Sequence, residues 1–277
     1  MADIDYATGL GPDSALRGRW ALILGASSGF GAATAVELAR AGMNIFGVHL
    51  DRKATMANVE SIVAGIRGAG CEAVFFNMNA ADPDKRSEAA KAMAEKLGEG
   101  GRVTTMLHSL AFGSLLPFVA AEPAGETLTR AQVDMTLDVM ANSLVYWVQE
   151  LMKNRLLVEG SRVFAMTSSG GRRVFPSYGA VSAAKAALES HIRQLAMELG
   201  KFGITANAIR AGVTDTPALR KIPGHEFMLS EANRKNPGGR LTTPEDVAKA
   251  VAVLSLPGTS WVTGNVIGVD GGEDIVD

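Results

Sequence analysis

Disulfide chemistry is closed to this chain, because Cys71 is its one cysteine. An internal cross-link needs two thiols, so a reducing compartment, and hence a cytoplasmic protein, is expected. No apolar run approaches the roughly 20 residues that span a bilayer. The first residues lack a basic stretch followed by an apolar one, so neither membrane insertion nor export is expected. Charge of either sign is not in excess: 27 Lys and Arg face 29 Asp and Glu, a net charge of −2. That balance removes the electrostatic footprint of a nucleic-acid or anionic-membrane partner. His49, His108, His191 and His225 are scattered without metal-ligand spacing, and no metal is expected. No repeat, low-complexity block or dividing linker is visible.

What the chain does contain is apolar: 47% of its 277 residues are hydrophobic, enough for one sheet covered on both faces. Residues 1–18, punctuated by Gly and Pro, read as a loose tail, and 19–277 as a single domain. Trp20–Leu24 is a short apolar run ending at Gly25, the pattern of a parallel strand buried on both sides. Strand-like runs recur at 44–48, 73–76, 103–107, 161–166, 204–209 and 265–269. Helical stretches separate them at 32–41, 54–67, 84–97, 134–154 and 178–199, and another opens at Pro244 with Thr243 as N-cap. This alternation predicts an α/β fold: a Rossmann-like, doubly wound parallel sheet of about seven strands with helices on both faces. Residues 217–241, rich in Pro and Gly, read as a mobile loop-helix insert rather than a domain boundary.

Ligands in such sheets bind beyond the carboxyl ends of the strands, and the polar motifs fall there. Gly25-Ala26-Ser27-Ser28-Gly29-Phe30-Gly31 joins the first strand to the first helix. Its glycines either admit a pyrophosphate at the helix N-terminus or only pack strand against helix. At the end of the second strand an acid would bind the ribose 2′-hydroxyl of NADH and cations the 2′-phosphate of NADPH. His49 stands eighteen residues after Gly31, followed by Asp51, Arg52 and Lys53. The reading leans to NADPH through Arg52, helped by Lys53 and Ser28, with NADH left open by Asp51. His108-Ser109-Leu110-Ala111-Phe112 follows the fourth strand, and its small residues would let a nicotinamide ribose pack closely. His108 reads as structural, with no carboxylate placed near it in sequence. Ser168, in the Met166–Gly171 turn, either caps that turn or hydrogen-bonds a substrate.

Tyr178 and Lys185 stand seven residues apart at the head of an Ala-rich helix. At about 100° per residue, seven steps return a side chain to nearly the same face, about 10 Å further along. A phenol and an ammonium so placed suit proton-coupled redox chemistry, and a nearby ammonium is expected to lower the Tyr178 pKa. A closer Tyr-x3-Lys spacing is excluded, since Ser182 occupies that position.

From Gly18 on, these residues resemble the short-chain dehydrogenase/reductase superfamily. The Gly25–Gly31 loop resembles its cofactor signature, Asn79-Ala80 its adenine-holding pair, Asn142 the asparagine of its proton-relay helix, and Val269-Asp270-Gly271-Gly272 its C-terminal signature. Tyr178-x6-Lys185, His108–Phe112 and Asn207–Thr216 resemble the divergent enoyl-[acyl-carrier-protein] reductases. Asn236–Arg240 and Ser169–Tyr178 are most similar to the third, NADPH-using type of that enzyme. The chain departs at Val213, where a proline is usual, and at Ser168, where the commonest bacterial type has a second tyrosine.

The resemblance implies a homotetramer, built on helices 134–154 and 178–199, that reduces the 2,3 double bond of trans-2-enoyl thioesters carried on acyl-carrier protein or coenzyme A. It implies catalysis by Tyr178 and Lys185 with Ser168 and Asn142. Cofactor would be held by Gly25, Ser27, Ser28, Gly29, Phe30, Gly31, Arg52, Asn79, Ala80, Ser109, Leu110, Ala111, Lys185, Gly212, Thr214 and Thr216. The insert would close over the acyl chain with Leu219, Ile222, Phe227, Met228 and Leu229. The alternatives are a carbonyl-alcohol reductase of the same superfamily, using Ser168 or Ser169 with Tyr178, and a non-catalytic nucleotide-sensing protein.

Overall fold

The computed structural model describes residues 10–11, 14–122 and 124–277. Seven parallel strands form one sheet: β1 Trp20–Leu24, β2 Asn44–His49, β3 Ala73–Asn77, β4 Val103–His108, β5 Arg162–Thr167, β6 Thr205–Ala211 and β7 Val266–Val269. Their order is β3-β2-β1-β4-β5-β6-β7, so the direction of winding reverses between β1 and β4. Leu24 at the end of β1 is paired with Val48 on one side and His108 on the other. The carboxyl ends of β1 and β4 therefore open the crevice where doubly wound sheets bind ligands.

The pleat divides β1 between two cores. Trp20, Leu22 and Leu24 face the layer of α3 (Pro83–Leu97), α5 (Ser143–Lys153) and α6 (Gly179–Gly200). Ala21 and Ile23 face α1 (Gly29–Arg40), α2 (Met56–Gly68) and α8 (Pro244–Leu254). Covering on both faces explains why the strands read as continuous apolar runs. Residues 14–18 are less loose than expected: Leu16 is fully buried, and Ser14 Oγ donates to the Ala41 carbonyl at 2.6 Å.

Helix starts follow local chemistry. Asp82 accepts from the Asp84 and Lys85 amides, both at 3.0 Å, with Pro83 in the first turn of α3. Thr243 and Asp246 form a reciprocal cap on α8, as the sequence leads one to expect for Thr243. The long helix expected over 134–154 is corrected. It starts earlier, as α4 (Arg130–Leu137) behind a Thr129–Gln132 capping box, and passes through a π-helical segment, Asp138–Asn142, before α5. A π-bulge inserts one residue into the helical phase, which a 3.6-residue periodicity does not reveal. In the insert only α7 (His225–Lys235) is a full helix.

Candidate active site

The glycine loop is a seam that only backbone can occupy. Gly25 has φ +87°, and a Cβ there would stand 2.5 Å from the Ser109 carbonyl oxygen after β4. A Cβ on Gly31 would overlap the Gly25 carbonyl. Ser28 heads α1 without a side-chain cap, so the first-turn amides keep their hydrogen-bonding capacity. A turn closed by glycines and leading to uncapped amides at a positive helix end fits a pyrophosphate. On this observation the loop suits a dinucleotide.

The end of β2 differs from expectation. Arg52 is exposed, while Asp51 turns inward to His49, with Oδ2 3.0 Å from Nδ1. Burial raises the Asp51 pKa, but hydrogen bonds from Ser27, Thr55 and His49 outweigh it and hold the carboxyl below its usual range. The group beside Ser27 is thus an acid, not the anticipated cation. Asn79 folds back, its Oδ1 accepting from the Ala81 amide at 3.0 Å. Ala80 is buried, and its carbonyl takes the Trp147 indole N–H at 2.9 Å.

Tyr178 precedes α6 and Lys185 lies two turns into it, and both are buried against one cavity of about 190 Å³. The Tyr178 ring sits on Gly170, where a Cβ would be 2.5 Å from Cε1, and meets Phe175 edge-on at 5.8 Å. Burial raises the Tyr178 pKa, partly offset by a hydrogen bond with Ser168. Lys185 Nζ donates to the Met166 carbonyl at 2.7 Å. Burial pulls its pKa down to about 8, against an upward push from Glu189. The expectation that Lys185 lowers the Tyr178 pKa is therefore overturned: desolvation dominates, and the ammonium is tied to a strand carbonyl instead. Ser168 takes the capping role anticipated for it, since Oγ also accepts from the Gly170 amide at 3.1 Å.

Phe30, Ser109, Leu110, Ala111, Gly212 and Thr214 share this cavity with Tyr178, Lys185 and Ser168. Thr216 lies buried at its edge, with Oγ1 accepting from the Leu219 amide at 3.2 Å and its methyl side facing Gly29. From the insert, Leu219, Ile222 and Met228 line the cavity, joined by Lys221. Phe227 does not: it is 71% exposed, and Leu229 also lies off the lining, so the apolar lid is narrower than anticipated.

Asn142 is not brought to the cavity. The π segment turns its side chain toward α6, where Oδ1 lies 3.2 Å from His191 Nε2. The next residue, Ser143, points inward and meets His108 Nε2 at 2.8 Å while donating to the Val139 carbonyl at 2.8 Å. With the Ser143 proton so placed, Nε2 carries the imidazole hydrogen. Burial, reinforced by the Lys185 charge, takes the His108 pKa down to about 3, so the ring is neutral. His108 is thus a structural histidine satisfied at one nitrogen, and its Nδ1 has no partner.

Sequence reasoning missed Glu189, which accepts from Thr167 Oγ1 at 2.7 Å one turn beyond Lys185. Its i+4 spacing from Lys185 was the available signal. It also missed Glu273 and Asp274 after β7, for which no local signal exists. Among the described residues no group of three His, Cys, Asp or Glu is placed to hold a metal, and no helix is long and apolar enough to cross a membrane.

Comparison with known proteins converges on one family. The sequence model of a family described as enoyl-(acyl carrier protein) reductase matches residues 25–273. A short-chain dehydrogenase/reductase of Pestalotiopsis microspora is 30% identical over 93% of this chain and 96% of its own. The 3-oxoacyl-[acyl-carrier-protein] reductase of Pseudomonas aeruginosa is 29% identical over 93% and 98%. Among solved structures, the enoyl-[acyl-carrier-protein] reductase (NADH) of Aquifex aeolicus superposes with a TM-score of 0.80 at 26% identity, covering 94% of this chain and 98% of that one.

Proposed function

This chain belongs to the short-chain dehydrogenase/reductase superfamily, a family of NAD(P)(H)-dependent oxidoreductases, and on that premise we propose that it reduces the 2,3 double bond of trans-2-enoyl thioesters. The observation that carries this reading is the separation of Tyr178 from Lys185. The phenol is buried, its pKa is raised, and the ammonium is engaged with Met166 rather than with the phenol. A phenol held neutral donates a hydrogen bond to a developing oxyanion, whereas reduction of a ketone asks it to surrender its proton.

The bound nicotinamide would supply hydride. The chain's own residues do the rest. Gly25, Gly29, Gly31 and the α1 amides hold the pyrophosphate, and Ser109, Leu110, Ala111, Gly212, Thr214 and Thr216 enclose the nicotinamide ribose. Lys185 orients that ribose and adds positive field. Tyr178 donates to the thioester oxygen as enolate charge forms on it. Leu219, Ile222 and Met228 exclude water from the acyl chain. Asp51 beside Ser27 supports the ribose diol of NADH, against the lean toward NADPH that Arg52 suggests in the sequence. A homotetramer acting on acyl-carrier-protein or coenzyme A thioesters is the assembly and substrate class this reading takes.

One observation favours a second reading. The Ser168 hydroxyl bonded to Tyr178 is the pairing a carbonyl reductase would use. Following cofactor oxidation with crotonyl and acetoacetyl thioesters, each with NADH and NADPH, separates the two. Turnover of the enoyl substrate at least tenfold above the ketone supports the proposal, and the reverse preference overturns it.

A further inference from the structure

The C-terminal turn following β7 joins the loop after β6 to the segment before Tyr178 without lining the cavity. Asp270 opens the turn. Its carboxylate accepts from the Gly272 amide at 2.9 Å, and its carbonyl takes the side-chain amide of Asn236, at the base of the insert, at 2.8 Å. Glu273 then reaches back to the loop after β6: its carboxylate accepts from the Val213 amide at 3.0 Å, and a Cβ on Gly212 would lie 2.8 Å from it. Asp274 faces the other way, with 9% of its side chain exposed. Its carboxylate is bonded to Arg172 and lies 3.2 Å from Arg173 and 3.0 Å from Arg210. Arg173 also donates to the Asp274 carbonyl at 2.8 Å. Arg172 and Arg173 belong to the segment between Ser168 and Tyr178.

We infer that Glu273 and Asp274 are positioning residues: two adjacent carboxylates that hold the Gly212–Val213 loop and the Arg172–Arg173 loop at one spacing, so that the cofactor wall and the Tyr178 wall of the cavity behave as a unit. The inference rests on the assignment of those walls to cofactor and catalysis. Val213 stands where a proline would offer no amide hydrogen, and here that hydrogen is the handle Glu273 grips. Without Asp274, Arg172 and Arg173 would face Arg210 of β6, the strand that leads into the Gly212–Val213 loop, and mutual repulsion would part them.

Amide hydrogen exchange on the ligand-free protein, dinucleotide titration and steady-state kinetics test this on Glu273→Ala and Asp274→Ala. Glu273→Ala is expected to speed Val213 exchange about tenfold and to raise the dinucleotide Kd about tenfold, with kcat within about threefold. Asp274→Ala is expected to lower kcat about tenfold with Kd within about threefold. Glu273→Gln, which keeps an acceptor, and Asp274→Glu, which keeps the charge, should recover most of each loss. Should Asp274→Ala not fold, Arg173→Met loosens the same contact from its other end. Unchanged Val213 exchange, or Kd and kcat moving together in step with Tm in both variants, overturns the inference. Because exchange is read without ligand, a protein that binds no dinucleotide refutes the proposed function separately from this clamp.

Discussion

The two walls of the cavity are built on opposite principles. The β1–α1 side works by omission: Gly25 and Gly31 bring backbone against backbone where any Cβ would collide, and the α1 amides are left without a side-chain cap. The β5–α6 side works by occupation. Tyr178, Lys185 and Ser168 are buried or half-buried side chains held by specific partners, and the Asp274 carboxylate meets Arg172 and Arg173 in the segment before Tyr178. A wall of backbone tolerates no addition, and a wall of side chains tolerates no subtraction. On the proposed function, the first is a steric requirement for binding and the second an electrostatic one for turnover.

Substitutions can break this contrast in order of severity. Gly31→Ala should abolish measurable dinucleotide binding, a loss beyond about 1,000-fold, with overpacking lowering stability by about 1–3 kcal/mol, and calorimetric titration beside a thermal melt reads both. Tyr178→Phe should slow turnover about 100- to 1,000-fold while the dinucleotide Kd stays put. Near wild-type turnover in that variant would remove Tyr178 from the chemistry.

Lys185 yields a prediction with two signs. With its pKa near 8, the ammonium is present below that pH and lost above it, so kcat/KM should fall about tenfold per pH unit beyond 8. The unfolded chain keeps this proton up to the ordinary value of 10.5, so the folded chain binds fewer protons between 8 and 10.5 and stability should rise with pH across that window. Chemical denaturation along the same pH series as the kinetics checks whether the two trends diverge; a parallel fall would show that Lys185 is not the titrating group. Gly170→Ala sharpens the comparison, since it adds a Cβ beneath a side chain rather than beneath backbone. The ring can yield, so kcat should drop only about tenfold with the dinucleotide Kd unchanged. Thr129→Ala, away from both walls, should cost about 1 kcal/mol in a denaturation curve through the lost cap and leave kinetics alone.

Much of the fold was legible. Trp20–Leu24 as a buried strand, the alternation of strand and helix, and Thr243 as a cap all follow from short-range patterns, and apart from the helix over 134–154 the structure returns their bounds within three residues. The helix over 134–154 was misjudged because a π segment shifts the phase without changing the composition. That one-residue shift also decides that Ser143, rather than Asn142, faces inward. At the end of β2 the sequence favours Arg52 and leaves Asp51 open. The buried His49 draws the Asp51 carboxylate in, while the Arg52 side chain is exposed.

The residue types and spacings alone settled the doubly wound sheet, the glycine turn at its switch point and the pairing of Tyr178 with Lys185, because strand alternation, steric freedom and helical pitch are local properties of the chain. Only the tertiary structure decided what those groups experience. Burial against the sheet raises the phenol and lowers the amine, and Asp274 meets Arg172 and Arg173 from about a hundred residues away. Desolvation and long-range charge pairing depend on what packs around a group, and no window of sequence contains that information.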